Sequence, residues 1–139
     1  MTVPKNVVWV REDVVLAVHL RQLAEHGGDE GLRDEGLLQS ALARPQNLLT
    51  YSDPPPDLAG LAAAYAYSIA RNHPFIDGNK RMALIVARLF LLLNGTDLVA
   101  TQEEKYSTFL ALAAGQLSEG DVANWVRAHL ASAAARTPS

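Results

Sequence analysis

Apolar residues return every three or four positions through most of this chain. Between Asp13 and Glu25, Leu16, Leu20 and Leu23, with Val14 and Val18 beside them, predict an amphipathic helix closed by Gly27-Gly28. Leu37, Leu38, Ala41 and Leu42 predict a second, short helix from Asp34 to about Ala43, capped by Asp34 and stopped by Pro45. Val7 to Val10 reads as a short extended segment, and Pro45 to Pro56 as a long connection of the kind that often carries function. After Asp57, Leu58, Leu61, Ala62, Tyr65 and Ile69 predict another helix. Pro74 ends it near Arg71 or Asn72, because a residue before proline is pushed out of helical geometry.

From Met82 to Leu93 only Arg88 interrupts an apolar run. The run is short of the roughly 20 residues a membrane-spanning helix needs. It therefore predicts a helix from about Asn79 to Asn94-Gly95, apolar almost all round and so the central, buried one. Thr101-x-x-Glu104 and Ser118-x-x-Asp121 have the form of capping boxes and open two further helices, the last with Val122, Trp125, Val126 and His129 on one side. Residues 131–139 read as a frayed tail. The expected fold is all-α: one domain over residues 1–139, with its core at about 7–130.

Composition narrows the function. At 139 residues and 49% hydrophobic content the chain supports one core. Twelve Lys and Arg against 15 Asp and Glu leave a net charge of −3, which argues against direct binding of nucleic acid through a broad basic face. Phosphate binding, if present, is local. The absence of Cys removes disulfides and thiolate metal sites. Arg11, Glu12 and Asp13 break any signal-peptide core, and the expectation is a cytoplasmic protein that does not enter a membrane.

The unusual chemistry lies in Arg71-Asn72-His73-Pro74-Phe75-Ile76-Asp77-Gly78-Asn79-Lys80-Arg81, just before the most apolar helix. His73, placed before a proline, is held on a turn where it suits a general base. Phe75 and Ile76 are apolar and would anchor the loop in the core. Asp77 is free to meet a divalent cation, and Mg2+ is commonly held by one carboxylate and several phosphate oxygens. Gly78 permits close backbone approach, and the first N–H groups of the next helix are unsatisfied donors that favour an anion. Asn79 adds an amide. Lys80 and Arg81 are cations at the helix end where the dipole disfavours them, and a ligand explains their presence there. Taken singly, each residue is more often a capped turn or a solvated charge; their coincidence favours a site. The phosphate loop Gly-x-x-x-x-Gly-Lys-Ser/Thr is absent, and the ligand set is incomplete for zinc.

"HPFIDGNKR" resembles the signature of the Fic/Doc proteins, His-Pro-Phe-x-Asp/Glu-Gly-Asn-x-Arg. The resemblance extends to "GGDEGLRDEGLLQSALARPQ" and "LLLNG", as in the death-on-curing branch. It implies a compact helical domain with a short flap that aligns the target, for which Leu48 to Tyr51 is the candidate. It further implies His73 as general base, Asp77 as the Mg2+ ligand, Phe75 as the loop anchor, and Gly78, Asn79, Lys80 and Arg81, with Arg71 at the preceding helix end, as ligands of the ATP phosphates.

Two positions bear on the reaction. Lys80 stands where the nucleotidyl-transferring branch has Gly, and Leu84 stands where that branch has a second Arg. The Lys form is that of death-on-curing toxins, which resemble kinases in passing the terminal phosphate of ATP to a hydroxyl on a translation factor such as elongation factor Tu. The resemblance thus implies a toxin of a toxin–antitoxin pair. AMP transfer is the alternative, and a non-catalytic helical interaction module a third. Some Fic proteins restrain themselves with Ser/Thr-x-x-x-Glu-Gly/Asn. At Glu30-Gly31, Glu35-Gly36 and Glu119-Gly120, the residues four positions earlier are His26, Gly31 and Gly115. None fits, so the expected inhibitor is a separate antitoxin chain.

Overall fold

An alanine-rich helix makes the centre of the molecule. The structure, a computed structural model, describes residues 3–132. Its elements in chain order are α1 (Glu12–His26), α2 (Glu35–Tyr51), α3 (Leu58–Asn72), α4 (Asn79–Leu93), β1 (Thr96–Leu98), α5 (Gln102–Ala113), α6 (Glu119–Ala128) and β2 (Leu130–Ser132). Asp57 caps α3 by accepting the N–H of Gly60. Ala59, Ala62, Ala63, Ala64, Ala66 and Ala70 of α3 are buried, and such small side chains let α2, α4, α5 and α6 all pack against it. This corrects the expectation that α4 is central. α4 buries Met82, Ala83, Val86, Ala87, Phe90 and Leu91 but leaves Leu92 and Leu93 exposed. A run of large apolar residues measures hydrophobicity, whereas a helix packed on every side also has to be narrow.

Pro45 does not stop α2, which continues to Tyr51. A proline inside a helix removes one hydrogen bond and costs roughly 3 kcal/mol. Here Leu38, Ala41, Leu42 and Pro45 form one buried stripe, and the ring contributes to the core that holds the helix. The long connection shrinks accordingly, and Leu48 to Tyr51 form the last turn of α2 instead of a flap. In α1 the buried face is Val15, His19 and Leu23, with Leu16 and Val18 packed partly against the core, so the expected stripe holds at Leu16, Val18 and Leu23 and fails at Leu20, which is 53% exposed, and at Val14.

Both capping boxes form as expected, Thr101 with Glu104 and Ser118 with Asp121. His129 closes α6, its Nδ1 2.7 Å from the carbonyl of Trp125. Sequence patterning did not anticipate the antiparallel ribbon pairing Thr96, Asp97 and Leu98 with Ser132, Ala131 and Leu130. Residues 131 and 132 therefore belong to a strand and not to a tail; the rest of the expected tail lies outside the described residues. Arg88, the lone interruption in the apolar run, bonds at 2.9 and 3.2 Å to the buried carboxylate of Asp97 and ties α4 to β1. Val7 to Val10 joins no strand; the Asn94 amide takes both backbone groups of Val8, and the Tyr65 hydroxyl accepts from Val10 N–H. Burial pushes that hydroxyl up to about 12. Among the described residues no helix is long and apolar enough to cross a membrane.

Candidate active site

The loop between α3 and α4 is held from three sides. His73 ends α3 in the left-handed conformation, φ 48° and ψ 56°, which leaves the right-handed helix that Pro74 disfavours there but is not the extended geometry that usually precedes a proline. Arg33 Nε donates to the His73 carbonyl and Nη2 to that of Asn72, both at 2.7 Å. It supplies a cation where the helix dipole favours one. The carbonyl of Pro74 accepts from the N–H groups of Arg33 and Asp34, Ile76 N–H donates to Gly31, and Leu32 pairs with Phe75 in an isolated antiparallel bridge. The segment lying along the loop is thus Gly31 to Asp34, well before the Leu48 to Tyr51 candidate.

Below the loop, Phe75 is 1% exposed and stacks on His19 with ring centroids 3.9 Å apart and planes 16° from parallel. His19 Nε2 lies 2.8 Å from the Asp77 carbonyl oxygen. Phe75 is the expected anchor, but Ile76 is 54% exposed and anchors nothing. The Asn79 amide turns inward: its Oδ1 accepts from Phe75 N–H at 3.0 Å and its Nδ2 donates to Phe75 O at 2.9 Å. That side chain is therefore a brace for the loop, and what it leaves for a ligand is its backbone N–H. Sequence reasoning missed Arg33, His19 and this role of Asn79. The available signals were a His spaced four residues from both Val15 and Leu23, and an amide four residues after the Phe it clasps.

One cavity of about 350 Å³ collects the remaining chemistry. Its walls carry His73, Asp77 and Gly78, the first turn of α4 with Lys80 and Arg81, and Tyr106 from α5. Gly78, at φ 84°, is the N-cap of α4 and provides no side-chain cap, so the helix end faces the cavity with backbone donors. Among the described residues neither Lys80 nor Arg81 has a carboxylate partner. Arg71 is not brought in. It donates to the Tyr67 hydroxyl at 2.7 Å and lines a different cleft with Arg44 and Asn72.

Asp77 Oδ1 accepts from Gly78 N–H at 2.8 Å and Oδ2 from Asp29 N–H at 3.3 Å, which fixes the carboxylate at the cavity edge. Gly28 passes so close that a Cβ there would sit 2.8 Å from Asp77 Oδ2. No group of three or more His, Cys, Asp or Glu among the described residues forms a metal cage. One carboxylate beside a helix end with uncapped backbone donors instead fits the chemistry of a hard cation that brings its own phosphate oxygens.

The fold and the site define a helical domain that presents a loop histidine beside a helix N-terminus carrying two cations that have no carboxylate partner among the described residues. The chain belongs to the Fic/DOC family, whose pattern it matches over residues 9–91. It is 46% identical to "Toxin Doc" of Mycolicibacterium smegmatis over 90 residues, 65% of this chain and 66% of that protein. It is 32% identical to "Protein kinase doc" of Escherichia phage P1 over 118 residues, 85% of this chain and 92% of the phage protein. The relatives put the chain in the Doc-like branch.

Proposed function

We propose that this chain is the toxin of a toxin–antitoxin pair and acts as a protein kinase, passing the terminal phosphate of Mg-ATP to a Ser or Thr hydroxyl of a translation protein such as elongation factor Tu. The observation that carries this reading is the convergence of His73, Asp77, the uncapped start of α4, Lys80 and Arg81 on one cavity. Such a site supplies positioning and charge stabilisation, which is most of what phosphoryl transfer requires.

In this reading His73 accepts the proton of the target hydroxyl, and Arg33 and Pro74 hold its backbone in place. The backbone N–H groups of α4, with Lys80 and Arg81, bind phosphate oxygens, and Asp77 holds the Mg2+ that neutralises them. Gly31 to Asp34, alongside the loop, is the segment against which the target chain aligns. Lys80 and the uncharged Leu84 favour phosphoryl transfer over AMP transfer, because they change where the phosphate chain is gripped. Inhibition comes from a separate antitoxin chain.

Expression in bacteria tests the proposal. The wild-type chain should arrest growth, and a neighbouring antitoxin gene should relieve the arrest. His73→Ala should accumulate as folded protein yet leave growth unaffected, since removing a general base typically lowers the rate roughly 100- to 10,000-fold. Arrest that survives His73→Ala would contradict the mechanism and favour a binding module.

A further inference from the structure

His19 reaches the site from beneath. It lies on the buried stripe of α1 with Val15 and Leu23, is 3% exposed, and is held nearly flat against Phe75. Its Nε2 is 2.8 Å from the carbonyl oxygen of Asp77. A carbonyl oxygen only accepts, so Nε2 carries the proton and donates it. That carbonyl belongs to the peptide joining Asp77 to Gly78, whose N–H points the opposite way and donates to Asp77 Oδ1 at 2.8 Å. The peptide thus has its oxygen fastened to the interior and its N–H turned to the carboxylate on the cavity wall.

The loop's own chemistry does not fix that choice. Gly78 sits at φ 84°, and glycine takes either sign of φ about as readily, so turning the peptide over would carry Gly78 to negative φ at little intrinsic cost. The N–H bond to Asp77 is a weak restraint, because the Asp77 side chain is exposed to water and free to leave it. A peptide turned over would aim its oxygen into the cavity, against the Asp77 carboxylate and the phosphate oxygens of the proposed donor. From this geometry we infer that His19 is a positioning residue, whose Nε2–H bond locks the Asp77–Gly78 peptide with its N–H and not its oxygen toward the phosphate site. The inference rests on the proposed function. His19 acts through the backbone and lines no wall of the His73 cavity. Because Gly78 is the N-cap of α4, the same bond also fixes where the uncapped helix end begins. A Cβ on Gly78 would stand 3.6 Å from Nε2, so the imidazole lies directly under that helix start.

Two substitutions separate the donor from the ring. His19→Phe keeps an aromatic face against Phe75 and removes the donor. His19→Gln gives up the ring but can set an amide N–H where Nε2 stood. Each full-length variant is titrated calorimetrically with ATP and Mg2+ below its unfolding transition. Without nucleotide, the NMR cross-relaxation between Asp77 Hα and the Gly78 amide proton reports which way the peptide faces. His19→Phe should alter that cross-relaxation and weaken Mg-ATP binding about tenfold, as loss of a buried hydrogen-bond partner implies. His19→Gln should keep the wild-type peptide signal and bind Mg-ATP within about threefold of the wild type, although it loses the stack. A histidine that only packs gives the reverse order, with Phe the better replacement; that order, or equal losses in both variants, would overturn the positioning role. If His19→Gln does not fold, His19→Phe decides alone: wild-type affinity with an unmoved peptide signal would overturn the claim, and a change in both would support it. A wild type that binds Mg-ATP but passes γ-label to no protein would overturn the proposed function and leave the positioning role to the same comparison. A wild type that does not bind Mg-ATP would overturn both.

Discussion

Replacing Asn79 by Ala separates a structural amide from a ligand-binding one. The Asn79 side chain satisfies both backbone groups of Phe75 through two bonds in buried surroundings, and Asn79 itself is 7% exposed. Truncation leaves the N–H and the C=O of Phe75 without partners, at about 1 to 3 kcal/mol each. Water entering the vacated space recovers part of this, so the net loss is about 2 to 4 kcal/mol, a large share of the 5 to 15 kcal/mol typical of a domain. With a urea dependence of about 2 kcal/mol per molar, the unfolding midpoint should fall by roughly 1 to 2 M at unchanged slope. Asn79→Asp should be no better, since it keeps an acceptor for the N–H but sets its second oxygen against the Phe75 carbonyl. His73→Ala, an exposed site, should shift stability by less than about 0.5 kcal/mol. If Asn79→Ala unfolds with the wild type and loses only nucleotide affinity, the amide serves the ligand and the brace is wrong.

His19→Ala removes a ring stacked on Phe75 and should cost about 2 to 4 kcal/mol by urea unfolding, whereas His19→Phe keeps the stack, loses the contact with the Asp77 carbonyl and should cost about 1 kcal/mol; equal costs would refute the stacking role. Gly28→Ala drives a methyl into Asp77 Oδ2 at a residue with φ +123°, so the Mg2+ concentration needed for half-maximal ATP binding should rise, and an unchanged Mg2+ titration would contradict Asp77 as the metal ligand. Arg127, bonded at 2.7 and 2.9 Å, holds the Asp57 carboxyl below its ordinary 3.8, with the Gly60 N–H adding to the effect and burial opposing it. A lowered folded-state value means that this stabilisation is complete above pH 3.8 and is lost as pH falls from there through the folded value. Asp57→Asn should therefore flatten that part of the stability–pH curve, and an unchanged slope would show that the pair contributes nothing.

Features that announce themselves locally were legible in the chain. Asp57, Thr101 and Ser118 each mark a helix start by side-chain chemistry, and each caps in the structure. The pairing of His73 with Pro74 correctly foretold a break in the helix, and Phe75 an anchor. What escaped was set by tertiary contact. Pro45 stays helical because its ring is buried with Leu38 and Leu42, which local propensity does not register. The three-residue strands at Thr96–Leu98 and Leu130–Ser132 are too short to carry a period and depend on a partner far along the chain. In α1 the core-facing stripe includes a histidine, and counting only apolar residues found Leu16, Val18 and Leu23 but missed His19 and added the exposed Leu20. The motif residues all lie near one another, but Asn79 faces inward and Arg71 faces elsewhere, distinctions of rotamer and packing that spacing alone does not carry.

The central claim is that the terminal phosphorus of ATP, and not the α-phosphorus, meets the nucleophile beside His73. Parallel reactions with ATP labelled at the γ or the α position, each with purified elongation factor Tu and with a bacterial extract as protein acceptors, measure this directly. γ-Label should appear on a protein acceptor and α-label should not, and the γ-signal should be lost with His73→Ala. Transfer of α-label without γ-label would contradict the claim, and would mean that Lys80 and Leu84 do not set the orientation of the phosphate chain.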